Sequence, residues 1–252
     1  MPIQLSEEQI EQYHEDGYLV VPDLLRQDEV DAFLTHEDHP NTQELRNGLL
    51  THLTDPQWNY LATHPNVAGV ASRLSEGMPR IVQTMYLVKE PAEKDEDLGG
   101  AGVSLHQDTH YLPNEPNTLM ACWIALSDTD PDNGGLCIVP GSHKDALRET
   151  EFSTSPEHAS WQTEHTMRAP DGREWKETLH SFHVLGIEDD DLVKLSVPRG
   201  SGVFFTSLTI HGSYANRSHT RPRLAFAVHY VKDGTWVYRT DVQETTRVEK
   251  KT

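Results

Sequence analysis

The chain has 252 residues, 36% of them hydrophobic, with 40 acidic against 21 basic side chains and a formal net charge of −19. That length suits one domain with a sizeable core. The acidic excess argues against nucleic acid and against anionic membrane surfaces, both of which call for a basic face.

The opening, "MPIQLSEEQIEQYHEDGYLVV", is acidic and amphipathic and reads as neither signal nor transit peptide, so a cytoplasmic protein is expected. Within it, "SEEQIEQYHE" (6–15) predicts a helix with Ser6 as N-cap and carboxylates in the first turn. "GYLVVPDLL" (17–25) predicts a buried strand that stops at Pro22, and "RQDEVDAFLTHE" (26–37) a second helix. Residues 55–76 predict helical segments broken at Pro65. Nowhere does an apolar run reach the roughly 18 residues of a membrane span.

After residue 80 the texture changes to short strands separated by Pro, Gly, Asn and Asp. Seven candidates follow: "RIVQTMYLVKE", "VSLHQDTHY", "TLMACWIALSD", "GGLCIVPG", "LVKLSVPRGSGVFF", "SLTIHGS" and "PRLAFAVHYV". Helices first and strands afterwards predict a mainly β fold: a double-stranded β-helix (jelly roll, cupin-like) barrel buttressed by N-terminal helices. We expect one domain over 1–252, with a helical part to about 78 and a jelly-roll core over about 80–240. Residues 92–102 and about 144–185 lack strong periodicity and are expected as loops or lids at the barrel mouth. Cys122 and Cys137 lack CxxC spacing and sit among apolar residues, so buried free thiols are expected.

Chemistry enters at "SLHQDTHYLP" (104–113). Side chains alternate along a strand, so His106 and Asp108 project one way and Gln107 the other. His211 ends the apolar stretch "GVFFTSLTIH" and is followed by Gly212, a small residue that leaves room beside a ligand. Two histidines and a carboxylate on one side of a metal, with open positions opposite, are the donor set of non-haem Fe(II) oxygenases. An arginine completes the pattern, because its planar fork suits a carboxylate. Arg221 and Arg223 share strand parity. Arg223 is preferred because Pro222 breaks the ladder at Arg221. His110 and His143 read as surface or supporting residues, His229 as packing beside the last strand, and Asp128, Asp130 and Asp132 as an ordinary turn rather than a calcium loop.

These residues, with "LSEEQIEQYHEDGYLVVPDLL", "CWIALSDTDPDNGGLCIVPGSHK", "GSGVFFTSLTIHGSYANRS" and "RPRLAFAVHY", resemble the phytanoyl-CoA dioxygenase family of Fe(II)/2-oxoglutarate-dependent oxygenases. The resemblance covers most of the chain. It implies iron ligands at His106, Asp108 and His211 and a 2-oxoglutarate anchor at Arg223. The spacing from His211 is one residue longer than usual, which leaves Arg221 as a substitute. It also implies that Trp123 and Met85 line the co-substrate pocket and that Ser213 supports 2-oxoglutarate. Gln83 matches a glutamine that faces substrate and co-substrate in an ectoine-hydroxylating relative. Implied cofactors are Fe(II), 2-oxoglutarate and O2, with ascorbate as a reductant. Since the carboxylate of Asp108 is intact, a hydroxylase of a small-molecule metabolite is expected rather than a halogenase, acting as a monomer or homodimer. The alternatives are a jelly-roll binding module without turnover and a cupin-type metalloenzyme that needs no 2-oxoglutarate.

Overall fold

A computed structural model describes residues 2–38, 48–94 and 98–248. Among the described residues the N-terminal third holds four α-helices: α1 (Glu7–Asp16), α2 (Gln27–Glu37), α3 (Pro56–Ala62) and α4 (Pro65–Leu74). Ser6 caps α1 in a capping box with Gln9, as its sequence predicts, and Asp55 caps α3 by accepting from the amides of Gln57 and Trp58. Among these helices no segment is long and apolar enough to cross a membrane.

The strands in chain order are β1 (Tyr18–Val21), β2 (Pro79–Lys89), β3 (Val103–His106), β4 (Asn114–Glu115), β5 (Met120–Ala125), β6 (Leu136–Ile138), β7 (Thr150–Phe152) and β8 (Gln162–Arg168). There follow β9 (Glu174–His180), β10 (Phe182–Val184), β11 (Val193–Lys194), β12 (Gly202–Thr206), β13 (His211–Ser213), β14 (Arg223–Lys232), β15 (Trp236–Val237) and β16 (Thr246–Arg247). Two antiparallel sheets form the barrel: a larger one in the order β1-β12-β5-β14-β2-β16 and a smaller one in the order β11-β6-β13-β3. The predicted helix-buttressed jelly roll is the observed fold.

Strand parity divides the larger sheet into two faces. Cys122, Ile124, Phe204, Phe226 and Val228 face the helices, where Phe33 and Trp58 meet Phe226 edge-on at ring separations of 5.4 and 5.5 Å. Their neighbours Ala121, Trp123, Ala125, Phe205, Ala225 and Ala227 turn inward against Leu136 and Ile138 of the smaller sheet. The small inward residues keep the two sheets from filling the space between them. A cavity of about 770 Å³ remains there.

Three expectations need correction. The stretch about 144–185 is not irregular: β8 and β9 form a seven-pair hairpin, and β7 pairs with β10. "LVKLSVPRGSGVFF" is two strands in different sheets, β11 and β12, because Pro198–Ser201 makes a turn. His211 does not end the strand before it but opens β13. Between them, the Thr206 and Thr209 hydroxyls bond each other at 2.9 Å and Ser207 Oγ donates to Asn117, side-chain bonds that favour a turn over a continuous ladder. Both cysteines are buried and free, as expected.

Candidate active site

His106 and His211 face each other across the β3–β13 ladder, paired in register. Asp108 lies just beyond β3, on a short 3-10 turn; Gln107 keeps extended torsions, so the alternation expected of a strand still carries the carboxylate to the same side as His106. Gln107 points away, donating to Leu208 O at 2.7 Å and accepting from the Arg148 amide at 2.8 Å. One ligand atom from each of His106, Asp108 and His211 lies within 4.8 Å of the others, and all three residues are buried.

Backbone carbonyls set the two imidazoles. Nδ1 of His106 donates to Ser104 O at 2.8 Å, and Nδ1 of His211 donates to Thr209 O at 3.0 Å. Each proton is thereby held on Nδ1, and each Nε2 lone pair is left for the centre. A further chain fixes the acid: Gln83 Nε2 lies 3.4 Å from His229 Nδ1, and His229 Nε2 lies 3.2 Å from Asp108 Oδ2. A Gln83 N–H can donate to His229 Nδ1, so that Nε2–H donates to Oδ2 and Oδ1 stays toward the two histidines. Burial alone would raise the Asp108 carboxyl, but His211 and His229, with contacts from His106, hold it well below its usual range. Burial, reinforced by His106, pushes His211 down to about 4. At neutral pH the group is therefore one carboxylate and a neutral His211, the protonation states that ligate a divalent ion.

Gly212 lines the cavity, and the backbone of the neighbouring strand also requires its small size. A Cβ there would lie 2.7 Å from Val103 O on the paired strand β3.

The structure separates the two arginines. Arg221 is half-exposed and tied to Asp130 at 2.6 and 3.2 Å and to Asp132 at 2.9 Å. Arg223 is 4% exposed and lines the cavity; Nη1 donates to Leu87 O at 3.1 Å, while Nε has no hydrogen-bond partner among the described residues. Its guanidinium lies 5.9 Å from the Trp123 ring centroid, and burial pushes its pKa down to about 9. An unpaired buried guanidinium facing a cavity is a receptor for an anion. Gln83, Met85, Trp123 and Ser213 also line the cavity, so these four share one space with His106, Asp108, His211 and Arg223, while Arg221 stands apart.

Sequence reasoning passed over three residues. His229 supports Asp108 instead of merely packing; its parity with Arg223 along β14 was the available signal. Lys89, at the end of β2 and in phase with Gln83 and Met85, is 4% exposed and donates to Ser213 Oγ at 2.8 Å. Arg239 lines the outer part of the cavity, paired with Asp241 at 2.6 and 3.0 Å, and no local motif marks it.

With this geometry in view, the comparisons with known proteins are specific. The family profile described as phytanoyl-CoA dioxygenase (PhyH) matches residues 13–225. The peroxisomal phytanoyl-CoA dioxygenase of Rattus norvegicus is 26% identical over 255 residues, covering 90% of this chain and 68% of that protein. The chain spans about two thirds or less of the length of the curated relatives it matches. Among solved structures, the non-haem α-ketoglutarate-dependent carbocyclase SnoK from nogalamycin biosynthesis aligns with a TM-score of 0.70 at 25% identity, covering 97% of this chain and 91% of that one. The epimerase SnoN, solved with Fe3+, α-ketoglutarate and nogalamycin RO, aligns with a TM-score of 0.70 at 22% identity over 92% of this chain and 85% of its own. The chain belongs to the phytanoyl-CoA dioxygenase family, whose members are non-haem, Fe(II)- and 2-oxoglutarate-dependent dioxygenases.

Proposed function

We propose that this chain hydroxylates a C–H bond of a small amphipathic metabolite, with His106, Asp108 and His211 as the iron ligands and Arg223 as the anchor of the far carboxylate of 2-oxoglutarate. The supporting observation is that a two-histidine, one-carboxylate donor set and a buried arginine with an unsatisfied Nε share one cavity. When bound, iron and 2-oxoglutarate supply the activation of dioxygen that leads to hydroxylation, with release of succinate and CO2. The protein's own part is positional. Ser104 and Thr209 hold the imidazole tautomers, His229 and Gln83 hold the carboxylate, and Trp123, Met85 and Ser213 line the co-substrate end and exclude water. The helical part and the jelly-roll core work as one unit, with the helices bracing the sheet that carries Arg223.

The outer part of the cavity supports the substrate class. Leu49, Leu112, Tyr111 and Trp161 give an apolar wall, with Tyr111 and Trp161 rings 5.6 Å apart, and Thr163, His165 and Arg239 give a polar one. Among the described residues Arg223 and Arg239 are the only arginines or lysines that line the cavity, and Arg239 is already paired, so a CoA thioester with its several phosphates is disfavoured. We further assign the chain to the cytoplasm as a monomer or homodimer without a nucleic-acid or membrane partner. The test is succinate release with Fe(II), ascorbate and 2-oxoglutarate over a panel of small amphipathic compounds. Substrate-stimulated release that disappears in Asp108→Ala is expected, and undiminished release in that variant would overturn the ligand assignment.

A further inference from the structure

A second basic side chain stands beside Arg223, behind the inner end of the cavity. Lys89 and Arg223 are direct partners in the β2–β14 ladder, both 4% exposed, and among the described residues neither forms an ion pair. Two buried cations side by side without a carboxylate are unfavourable unless something else compensates them. Burial, and then the charge of Arg223, pushes the Lys89 ammonium down to about 6. Nevertheless the fold makes room for this side chain. A Cβ on Gly100 would come within 2.4 Å of the Lys89 Cβ, and one on Gly134 within 2.8 Å of its Cδ. The Asn216 amide also donates to the Lys89 carbonyl at 3.0 Å, fixing the end of the strand.

Direction matters in the next bond. Lys89 Nζ donates to Ser213 Oγ at 2.8 Å and to the Tyr214 carbonyl at 2.5 Å. A hydroxyl that accepts from Nζ keeps its own hydrogen to donate elsewhere, and Ser213 lines the cavity. Lys89 itself stands behind Ser213, so it acts through that hydroxyl.

We propose that Lys89 is a positioning residue for the far carboxylate of 2-oxoglutarate: it turns the Ser213 hydroxyl into a donor aimed at that group beside Arg223. The proposal rests on the reading of the cavity as a 2-oxoglutarate site and adds a residue to it.

The experiment is anaerobic titration of the Fe(II)-loaded protein with 2-oxoglutarate and, separately, with pyruvate. The charge-transfer absorption of the chelated 2-oxo acid reports binding. Pyruvate carries the same 2-oxo acid chelating end but no far carboxylate. Lys89→Met should weaken 2-oxoglutarate by about 10- to 100-fold, the range for loss of a charge-assisted bond, and leave pyruvate binding unchanged. Ser213→Ala should lose the same preference, and the double variant should lose little more, because the two residues act in series. Retention of the wild-type preference for 2-oxoglutarate in Lys89→Met overturns the proposal, as does equal weakening of both acids. Should Lys89→Met fail to fold, Ser213→Ala decides alone: an unchanged preference there overturns the relay. Absence of any charge-transfer band in the wild-type protein would instead count against the co-substrate site itself.

Discussion

The two ends of the cavity are built differently. The inner end lies on central strands of both sheets, where β14 and β2 pair over ten positions and Arg223, His229, Gln83 and Met85 share one face. The outer end is closed by the β8–β9 hairpin, whose residues are mostly exposed and whose buried anchors are Met167 and Leu179. That hairpin is joined to the C-terminal segment by backbone bonds from Arg168 to Tyr238 and from Thr240 to Thr166. Residues of the reaction class therefore sit where the sheet fixes them, and residues that meet the substrate sit where the chain can vary without disturbing the sheet.

Substitutions can break or sharpen that contrast. Asp108→Ala should reduce iron-dependent succinate formation by at least ~10²-fold, beyond the effect typical of a residue that only orients a ligand. Arg223→Met should raise the 2-oxoglutarate Kd by about 10- to 100-fold, while Arg221→Met leaves it within ~2-fold, since its partners Asp130 and Asp132 lie outside the cavity. A reversal of those two results would move the anchor to Arg221. His229→Phe should weaken metal binding by about 10-fold or somewhat more, read by titration with a divalent ion, because Asp108 loses the group that orients it. At the outer end the expected effect is smaller and selective. Trp161→Ala should lower kcat/KM for the primary substrate by about 2- to 10-fold, the worth of an aromatic contact, with metal and 2-oxoglutarate affinities unchanged. If Trp161→Ala instead changes metal affinity, the two ends are not independent. The smallest effect should be on stability: Arg221→Met should lower the unfolding free energy read from urea titration by no more than about 1 kcal/mol, since its ion pairs are partly exposed.

The same contrast explains what could be read from the sequence. His106, Asp108 and His211 were legible because each lies on or beside an apolar strand whose alternation fixes the side on which it projects. The hairpin was not, because "QTEHTMR" and "EWKETLH" are polar on their exposed positions and bury little, so the period-two signal is faint. Its turn was nevertheless marked by Asp171-Gly172, a common hairpin pair. His229 and Lys89 could have been found by extending the parity of Arg223 and Gln83 along their strands. Arg239 could not, since its place depends on how the C-terminal segment folds back over the mouth. The single-residue choice between Arg221 and Arg223 likewise needed the fold, because only there do Asp130 and Asp132 stand opposite one arginine.

Strand β14 serves two masters: Phe226 and Val228 grip the helices, while Arg223, Ala225, Ala227 and His229 look the other way. Deleting one residue in its middle would swap these roles on one side of the cut, sending a charged guanidinium among helix side chains or a phenyl ring into the cavity. Length changes are thus forbidden along this strand and tolerated in the 169–173 hairpin turn, so new substrate preferences can evolve at the rim by insertion while the oxidising machinery stays in frame.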